Sequence, residues 1–452
     1  MGAQYTELDW IVFGVYGLIL ALSGWLINRK KSENSNDFFL GGNAMPVWMV
    51  AISVLATTQS AATFLGGPEQ GYRGDLSYLA TNVGALIAAI FVAVYLIPKF
   101  YQYKVYTVYE LLEQRIGYSA KKYAGLMYLF GRVFASGARL YMAALAVAMI
   151  LFGNVSADNV FIATVIITLV GLLYSVFGGI RSVIYSDVIQ CAVYVSAAIF
   201  VIYFLFKAIP ADFSQIIAAL QQPGNGESSK LALFKFDLDF TTSGVFNFWS
   251  AITGFVLLNI AAFGLDQDMT QRVLTCKSAK EASKAMLFSV VLVIPVMLLF
   301  IIIGLLLFIF YQRPDLMLSE GAQSIVQSYQ GEKVTIFMYY VLNEIPAGVR
   351  GLVTIGIIAA ALSTLNSGLS SMSSVLIQDL YRPYLEKKLA KSNSSVSDMH
   401  YVTAGRYGMV LVGLALGLMA IICFYWQRYT DMPLLKFALS VMVFSYSGLL
   451  GV

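Results

Sequence analysis

The chain has 452 residues, of which 59% are hydrophobic and 12% are charged, and its net charge is +4. A soluble domain is nearer a quarter charged, so the composition excludes an ordinary soluble protein, and so small a net charge gives no sign of a nucleic-acid partner. Three widely separated cysteines and one histidine, His400 in the polar loop KSNSSVSDMH, offer almost no material for a metal site or a nucleophilic triad. We therefore expect a membrane protein that is not an enzyme and has no cofactor.

Apolar runs recur along the whole chain. Each run has about 20 residues, enough to cross a hydrocarbon core of roughly 30 Å as a helix, whereas barrel strands would show about 10 alternating residues. The fold class is therefore predicted as an all-α polytopic membrane protein with about eleven spans. We place these spans at about 8–28, 45–70, 77–98, 124–152, 158–177, 184–207, 246–268, 285–311, 348–379, 404–426 and 432–452.

The two ends of the chain carry different signals. The first run, Trp10–Ile27, precedes NRKK without a small-residue cleavage pattern, so we interpret it as a true span and not as a signal peptide. The chain stops at Val452 inside an apolar run that has no polar flank, so we expect the natural protein to continue beyond it.

Lysine and arginine are distributed unevenly between the two sets of loops. The loops that follow the odd-numbered spans carry eighteen of these residues, and the opposite loops and span ends carry eight. By the positive-inside rule the first set is cytoplasmic, which predicts that the N-terminus lies outside. The loops at 208–245 and 312–347 are then external, and they are long enough to hold short helices or lids.

Two spans in corresponding places are interrupted by polar or small residues. The second span contains TTQSAAT (57–63), and the seventh contains Asn259 and Gly264. With the first span set aside, these two open two groups of five helices of opposite orientation, a pattern that points to a transporter binding site. Carbonyls freed at such breaks can coordinate a cation. For either helix alone, a simple kink between packed helices is an equally good interpretation.

The ninth span carries a stripe of hydroxyl side chains. Ser363, Ser367, Ser370 and Ser374 follow Ala360 at spacings of three and four residues, so they share one helix face. Small polar residues of this kind let membrane helices pack closely, which accounts for most of the segment from Ser370 to Ser374. The alternative is a site for sodium, which, like other hard cations, prefers oxygen ligands.

Two carboxylates lie near the ends of apolar runs. Asp187, at the predicted start of the sixth span, is the candidate that would supply charge to a cation site, and its alternative role is a charge at a helix N-terminus. Asp266, at the end of the seventh span, is expected to pair with Arg272 or to cap its loop.

Three separated motifs resemble the solute:sodium symporter family. They are YSVFGGIRSVIYSDVIQ (174–190), FGLDQDMTQRVLTCKSAKEA (263–282) and AAALSTLNSGLSSMSSVLIQDLY (359–381), and the likeness extends over essentially the whole chain from DFFLGG (37–42). Their order and their places on the expected helices make the resemblance specific for the family, which includes sodium/glucose, proline, iodide, monocarboxylate and sialic acid symporters, but not for one solute.

The resemblance implies a LeuT-like fold of two inverted five-helix repeats preceded by one extra N-terminal helix. It assigns residues 1–34 to the extra helix and its cytoplasmic loop, 35–207 to the first repeat, 208–245 to an external loop and 246–452 to the second repeat. It also implies a protein of the cell membrane, here the bacterial inner membrane, that works as a monomer surrounded by lipid.

The function that the resemblance implies is sodium-coupled import of a small polar solute by alternating access, with Na+ as the coupling ion. The polar residues at the implied solute-binding positions suit a hydroxylated organic anion of the sialic acid or monocarboxylate type, or a sugar. Two alternatives stay open: a proton-coupled symporter of the same fold with Asp187 as the relay, and a sodium/proline-type amino acid symporter.

The family motifs also imply site residues. The conserved sodium site would use carbonyl and hydroxyl oxygens of Ala56, Gln59, Ala360, Ser363 and Thr364. A second sodium site, found in some members, would use Asp187, Ser363, Asn366 and Ser367, and Asn366 stands where the family pattern has serine. The implied solute-binding positions are Thr58, Ser60, Thr63, Asn82, Asn259, Phe263 and Arg139. For Arg139, structural pairing and anion binding both stay open, because an arginine within a membrane must find a partner.

Overall fold

The structure is a computed structural model that describes residues 5–29, 32–224, 228–238, 244–318, 328–329, 332–391, 395–429 and 440. Within these residues the secondary structure is helical, apart from one short hairpin in which β1 (Ser328–Tyr329) pairs antiparallel with β2 (Glu332–Lys333). The all-α fold class is therefore confirmed. Nearly all of the last predicted span, 432–452, lies outside the described residues.

The helices of the first half follow the predicted order. In chain order they are α1 (Glu7–Asn28), α2 (Ser35–Leu40), α3 (Val47–Thr58), α4 (Ala61–Arg73), α5 (Ser77–Phe91), α6 (Ile97–Tyr103), α7 (Glu110–Arg115), α8 (Tyr118–Phe152) and α9 (Ala157–Ala208). A 3-10 turn (Gly41–Asn43) follows α2, and a π turn (Val92–Leu96) joins α5 to α6.

The long helix α9 is two helices in one run. Gly179 has φ 58° and ψ −157°, a conformation that glycine adopts far more readily than other residues. A Cβ atom there would also lie 2.9 Å from the Phe38 ring. The break falls between the predicted fifth and sixth spans, which are the first and second halves of α9.

The second half contains the remaining helices. They are α10 (Phe213–Gln221), α11 (Phe248–Ile252), α12 (Gly254–Ile260), α13 (Gln267–Val273), α14 (Ala279–Gln312), α15 (Pro314–Met317), α16 (Ile336–Asn343), α17 (Val349–Val375), α18 (Arg382–Ala390) and α19 (Asp398–Arg428). Two π turns, Ala261–Leu265 and Leu376–Tyr381, follow α12 and α17. The two long loops hold short helices, as expected, whereas His400 lies in the first turn of α19 and not in a loop.

Eight helices within the described residues are long and apolar enough to cross a membrane, or nine if one bent pair at Ser35–Thr58 is counted as a span. The first ten predicted spans each coincide with a helix, with half of α9, or with helices joined across a short break. By length and composition α9 counts as a single candidate span, although two spans were predicted there. The number of membrane crossings therefore stays a prediction.

The predicted interruption of the second span is confirmed, whereas in the seventh span Asn259 lies within α12 and Gly264 lies in the π turn. Gln59 and Ser60 have extended backbones, with ψ of 104° and 174°, and they separate α3 from α4. In the second half, Thr253 (φ −121°, ψ −82°) separates α11 from α12, and the extended Asp266 follows the π turn before α13.

The centre of the bundle is α17. Of its apolar spanning window, 89% is buried, against 6% for α1, which lies at the periphery. Helix α17 packs against α9, α8, α3, α4, α19 and α1. Its alanines, glycines and serines allow this close approach from several sides, so the hydroxyl stripe lies at the core of the protein.

Candidate sodium and solute sites

The break between α3 and α4 frees backbone oxygens next to α17. The last four carbonyls of a helix have no partner within it, and because α3 ends at Thr58, the carbonyl of Ala56 is among them. All five predicted residues of the conserved sodium site are buried, with exposed fractions of 0 to 3%: Ala56, Gln59, Ala360, Ser363 and Thr364.

A small cavity joins this break to α17. Its volume is about 10 Å³, and Ser60, Ala61 and Thr364 are among the residues that line it. That volume is close to the least that holds one water molecule, and the Thr364 hydroxyl donates to the carbonyl of Ala360 at 3.2 Å. Thr364 thus meets the break directly, whereas Ser363 donates its hydrogen bond to Asp187 Oδ1 at 2.7 Å.

The predicted second sodium site is only partly assembled. Asp187 is fully buried and accepts hydrogen bonds from Ser363 and from Ser53 of α3. It lies two turns beyond the break in α9, so its alternative role as a charge at a helix N-terminus is wrong. Ser367 contacts Asp268, and the side chain of Asn366 faces the first half of α9, so the structure brings neither to Asp187.

Charged side chains form a buried ionic cluster of Arg132, Asp187, Asp266, Asp268 and Arg272, each at most 1% exposed. Arg272 Nη2 lies 3.1 Å from Asp187 Oδ2, and its Nη1 lies 3.3 Å from Asp268 Oδ1. Arg132 Nη1 lies 2.7 Å from Asp266 Oδ2, and its Nη2 contacts Asp268. The cluster links α8, the second half of α9, and α13, and through Ser367 it reaches α17.

Of the two roles expected for Asp266, capping of its loop is found and pairing with Arg272 is not. Asp266 does cap its loop, because its Oδ1 accepts from the backbone N–H of Asp268 at 2.9 Å. It pairs with Arg132 and not with Arg272, since Asp266 precedes α13 and faces α8, while Arg272 lies on α13 and reaches α9. The i, i+4 spacing of Asp268 and Arg272 was the available signal for part of this cluster.

A larger cavity of about 160 Å³ lies between the α3–α4 break, α5, α8 and α12. Six of the seven predicted solute-binding residues line it, namely Thr58, Thr63, Asn82, Asn259, Phe263 and Arg139. The seventh, Ser60, lines the adjoining small cavity, where Arg139 also contributes. The structure therefore gathers residues that are up to 205 positions apart in the chain around one space. We call it the solute cavity.

The solute cavity offers hydrogen-bond acceptors and one charge. The side-chain nitrogen of Asn82 donates to Leu79 O at 2.9 Å, and that of Asn259 donates to Phe255 O at 2.7 Å, which leaves the amide oxygens to accept from a solute. Among the described residues that line the cavity, Arg139 carries the only formal charge. Such a set can bind a carboxylate and several hydroxyl groups.

Sequence reasoning missed some of the lining residues. The side chain of Gln59, considered only for its carbonyl, lines the solute cavity, and its Oε1 has no hydrogen-bond partner within the described part of the chain. Tyr78 and Thr81 also line it. Tyr78 precedes Asn82 by four residues, so helical spacing from Asn82 was the signal that could have found it.

The hydroxyl stripe divides between packing and polar contacts. Ser373 Oγ donates to Gly405 O of α19 at 2.7 Å, which is the interhelical packing role predicted for this segment. Ser371 instead lies at the ionic cluster, 2.9 Å from Tyr128 Oη and 3.5 Å from Asp268 Oδ1. Within the described residues, Ser370 and Ser374 make no hydrogen bond through their hydroxyls.

Comparison with known proteins identifies the class. The sodium:solute symporter family matches residues 38–442, and the chain belongs to this family. It is 27% identical over 391 residues to the sodium/sialic acid symporter SiaT of Proteus mirabilis, covering 85% of this chain and 72% of the relative. It is also 27% identical over 391 residues to the sodium/glucose cotransporter of Vibrio parahaemolyticus, covering 84% and 69%.

Solved structures agree with this membership. The chain matches a substrate-bound, outward-open Na+-coupled sialic acid symporter with a TM-score of 0.79 at 25% identity, covering 94% of this chain and 83% of that one. It matches the nucleobase-cation-symport-1 transporter MHP1 with a TM-score of 0.56 at 13% identity, covering 92% and 79%, which shows a shared fold alone. The LeuT-like fold is confirmed.

The chain is therefore a sodium-coupled solute symporter, a multi-pass protein of the cell membrane whose coupling ion is sodium. Its relatives are transporters and not enzymes. Proton coupling, the alternative drawn from Asp187, is not favoured by these relatives.

Proposed function

We propose that this symporter imports a small hydroxylated organic anion of the sialic acid or monocarboxylate class. The observation that carries the proposal is the position of Arg139, the only formal charge among the described residues lining the solute cavity, beside the neutral side chains of Thr58, Thr63, Asn82 and Asn259. An arginine can bind a carboxylate through two parallel hydrogen bonds, and the amides and hydroxyls suit solute hydroxyl groups. The relative SiaT is a sialic acid symporter, and other relatives are monocarboxylate transporters.

A neutral sugar is the second candidate. The cavity has more neutral hydrogen-bonding groups than charged ones, and one relative transports glucose with sodium. A proline-type solute is less well supported, because an apolar ring would leave the amides of Asn82 and Asn259 without partners.

The proposed sodium site is formed by carbonyls of Ala56 and Gln59 at the α3–α4 break, and by Ala360, Ser363 and Thr364 on α17. Support comes from their burial and from the cavity shared by the break and Thr364. Sodium would bridge two helices and thereby complete the solute cavity, so sodium and solute raise each other's affinity. Membrane potential adds about 2.3 kcal/mol per charge per 100 mV to the driving force.

A second sodium at Asp187 and Ser363, with Asn366 and Ser367, is retained as a proposal for a conformation other than this one. In the described conformation Asp187 already faces the Arg272 guanidinium. Bound sodium there would require Arg272 to move or to share the carboxylate. In this conformation we therefore expect a stoichiometry of one sodium ion per transport cycle.

The charge distribution of the loops supports an N-terminus that lies outside. The family resemblance supports a protein of the bacterial inner membrane that works as a monomer in lipid. The proposed division is an extra helix and loop (1–34), a first repeat (35–207), an external loop (208–245) and a second repeat (246–452). Two broken helices in opposite orientation support the inverted arrangement.

Uptake into proteoliposomes tests the solute class. We expect a sodium gradient to drive accumulation of N-acetylneuraminate or lactate but not of proline, and replacement of sodium by choline at fixed pH to stop it. Accumulation of glucose alone would favour the sugar candidate. Uptake that persists in choline but follows a proton gradient would contradict sodium coupling.

The same vesicles test the proposed sodium site. Ser363→Ala removes a proposed ligand oxygen, so the sodium concentration for half-maximal uptake is expected to rise by about tenfold or more, which corresponds to roughly 1.4 kcal/mol. The matched control is Ser374→Ala, on the same helix, whose hydroxyl makes no hydrogen bond within the described residues. An unchanged sodium dependence in Ser363→Ala would remove this residue from the site.

A further inference from the structure

A second cavity lies apart from the solute cavity. It has a volume of about 350 Å³ and is lined by residues of α1, both halves of α9 and α17. On α17 its lining residues are Leu362 and Asn366, each two positions from Thr364. Residues two apart on a helix point about 200° apart, so this cavity lies on the face of α17 opposite the proposed sodium site. We call it the α1 cavity.

The way α1 is attached explains why the α1 cavity exists. Near the N-terminal end of α1, Asp9 Oδ1 accepts hydrogen bonds from Gly348 N and Gly351 N at the start of α17, both at 2.8 Å. Near its other end, the hydroxyls of Ser23 and Tyr174 lie 3.2 Å apart. From Gly17 to Gly24 the side of α1 that lines the cavity carries small residues, Gly17, Ala21 and Gly24. A Cβ atom on Gly17 would meet nothing within 4 Å, whereas one on Gly24 would lie 3.2 Å from the Tyr174 ring, so the space is at the Gly17 end of this face.

The inner wall of the α1 cavity carries hydrogen-bond acceptors. Asn366 and Gln190 both line it, each is 1% exposed, and within the described residues neither Asn366 Oδ1 nor Gln190 Oε1 has a hydrogen-bond partner. The Tyr16 hydroxyl lies close to the Gln190 side chain. A buried acceptor without a donor is unfavourable, so this wall suits a ligand that donates a hydrogen bond.

The mouth of the α1 cavity is apolar. Leu173 and Trp25, which line it, are 67% and 57% exposed, and the peripheral helix α1 forms one side. Among the described lining residues there is no formal charge. The cavity therefore opens sideways toward the lipid, and it is suited to an uncharged molecule that arrives through the membrane.

We propose that the α1 cavity binds an uncharged, membrane-dissolved amphiphile that has an apolar body and a hydroxyl donor. The donor meets Asn366 and Gln190, and the apolar body lies between α1 and the first half of α9. Because Leu362 and Asn366 flank the sodium residues Ser363 and Thr364 on one helix, an occupant restricts the movement of α17 and lowers the transport rate. The site is thus regulatory and separate from the solute cavity.

Photolabelling of the purified symporter tests the binding, without any transported solute. The probe is a diazirine derivative of 4-hexylphenol, and the competitors are 4-hexylphenol and its methyl ether, 4-hexylanisole, which has no donor. We expect labelled peptides from α1, α9 and α17, protection by the phenol, and at least about tenfold weaker protection by the ether. Equal protection by both competitors, or labels elsewhere, would overturn the proposal.

Space-filling variants separate this site from the general lipid surface. Ala21→Phe places a ring in the α1 cavity, and Gly17→Leu fills the cavity from a second position. If one of these variants does not fold, the other still tests the site. The matched control is Leu22→Phe, since Leu22 is 50% exposed and does not line the cavity. Labelling is expected to fall in both filled variants and persist in the control. Labelling at the wild-type level in a folded, filled variant contradicts the site.

Inhibition of uptake tests the regulatory part. 4-Hexylphenol is expected to slow sodium-driven uptake by the wild type and by Leu22→Phe, and to have little effect on Ala21→Phe. If the phenol inhibits Ala21→Phe as strongly as the wild type, its effect does not come from the α1 cavity. Because labelling is measured without solute, a wrong solute assignment would leave the binding result intact.

Discussion

Arg272→Met is expected to destroy the folded, transport-competent protein. Arg272 is fully buried and lies against both Asp187 and Asp268, so its removal leaves two carboxylates short of positive charge. Breaking a buried ion pair by removing one partner typically destabilises a protein by about 3–5 kcal/mol. The measurement is the thermal unfolding of detergent-purified protein, together with its elution as a single species.

The matched control for this change is Arg382→Met. Arg382 Nε lies 2.9 Å from Glu386 Oε1 on α18, and the two side chains are 30% and 56% exposed. An exposed pair of this kind contributes only about 0–1 kcal/mol, so the control should unfold close to the wild-type temperature. If Arg272→Met also unfolds at the wild-type temperature, the buried ionic cluster does not stabilise the fold as described.

Arg139→Gln is expected to remove high-affinity uptake of an organic anion. Truncating one partner of a buried, hydrogen-bonded charge pair costs about 2–5 kcal/mol, so the KM for the anion should rise by roughly 30-fold or more. Sodium-dependent thermal stabilisation should remain, because the proposed sodium ligands are at the α3–α4 break and on α17, and Arg139 is not one of them. Arg139→Lys retains the charge without the bidentate geometry, so its KM for the anion should lie between those of the wild type and Arg139→Gln.

The two roles left open for Arg139 give different results here. If Arg139→Gln takes up the anion with the wild-type KM, the arginine is a scaffold residue and the solute is not recognised through its charge. Arg313→Gln serves as the control, because Arg313 pairs with Asp315 outside the solute cavity. Its KM should not change.

The local features of the site were predictable from the sequence, and the contacts across helices were not. The break at Gln59 and Ser60 and the burial of Ser363 and Thr364 follow from a polar interruption and from helical spacing. These signals concern neighbours in the chain, which is why the spans and the first break were placed well, while the break at Thr253 was missed.

Partners distant in the chain depended on how helices rotate and dock. Arg132 meets Asp266 although 134 positions separate them, and no spacing rule links the two. Asn366 was assigned to a sodium site by its motif, yet its position two residues from Thr364 turns it toward the α1 cavity. The family resemblance proposed the site residues, while the packing of α17 decides which way each of its side chains faces.

Equilibrium binding of sodium-22 to the purified symporter tests the central claim, that sodium binds between the α3–α4 break and α17. Thr364→Val removes the hydroxyl oxygen with little change in shape. Thr354→Val is the control on the same helix, because the Thr354 hydroxyl lies 2.8 Å from the Tyr5 hydroxyl, away from the break. Saturable binding by the wild type and Thr354→Val, with affinity about tenfold or more weaker in Thr364→Val, is the predicted result. Sodium binding by a folded Thr364→Val with wild-type affinity would contradict it.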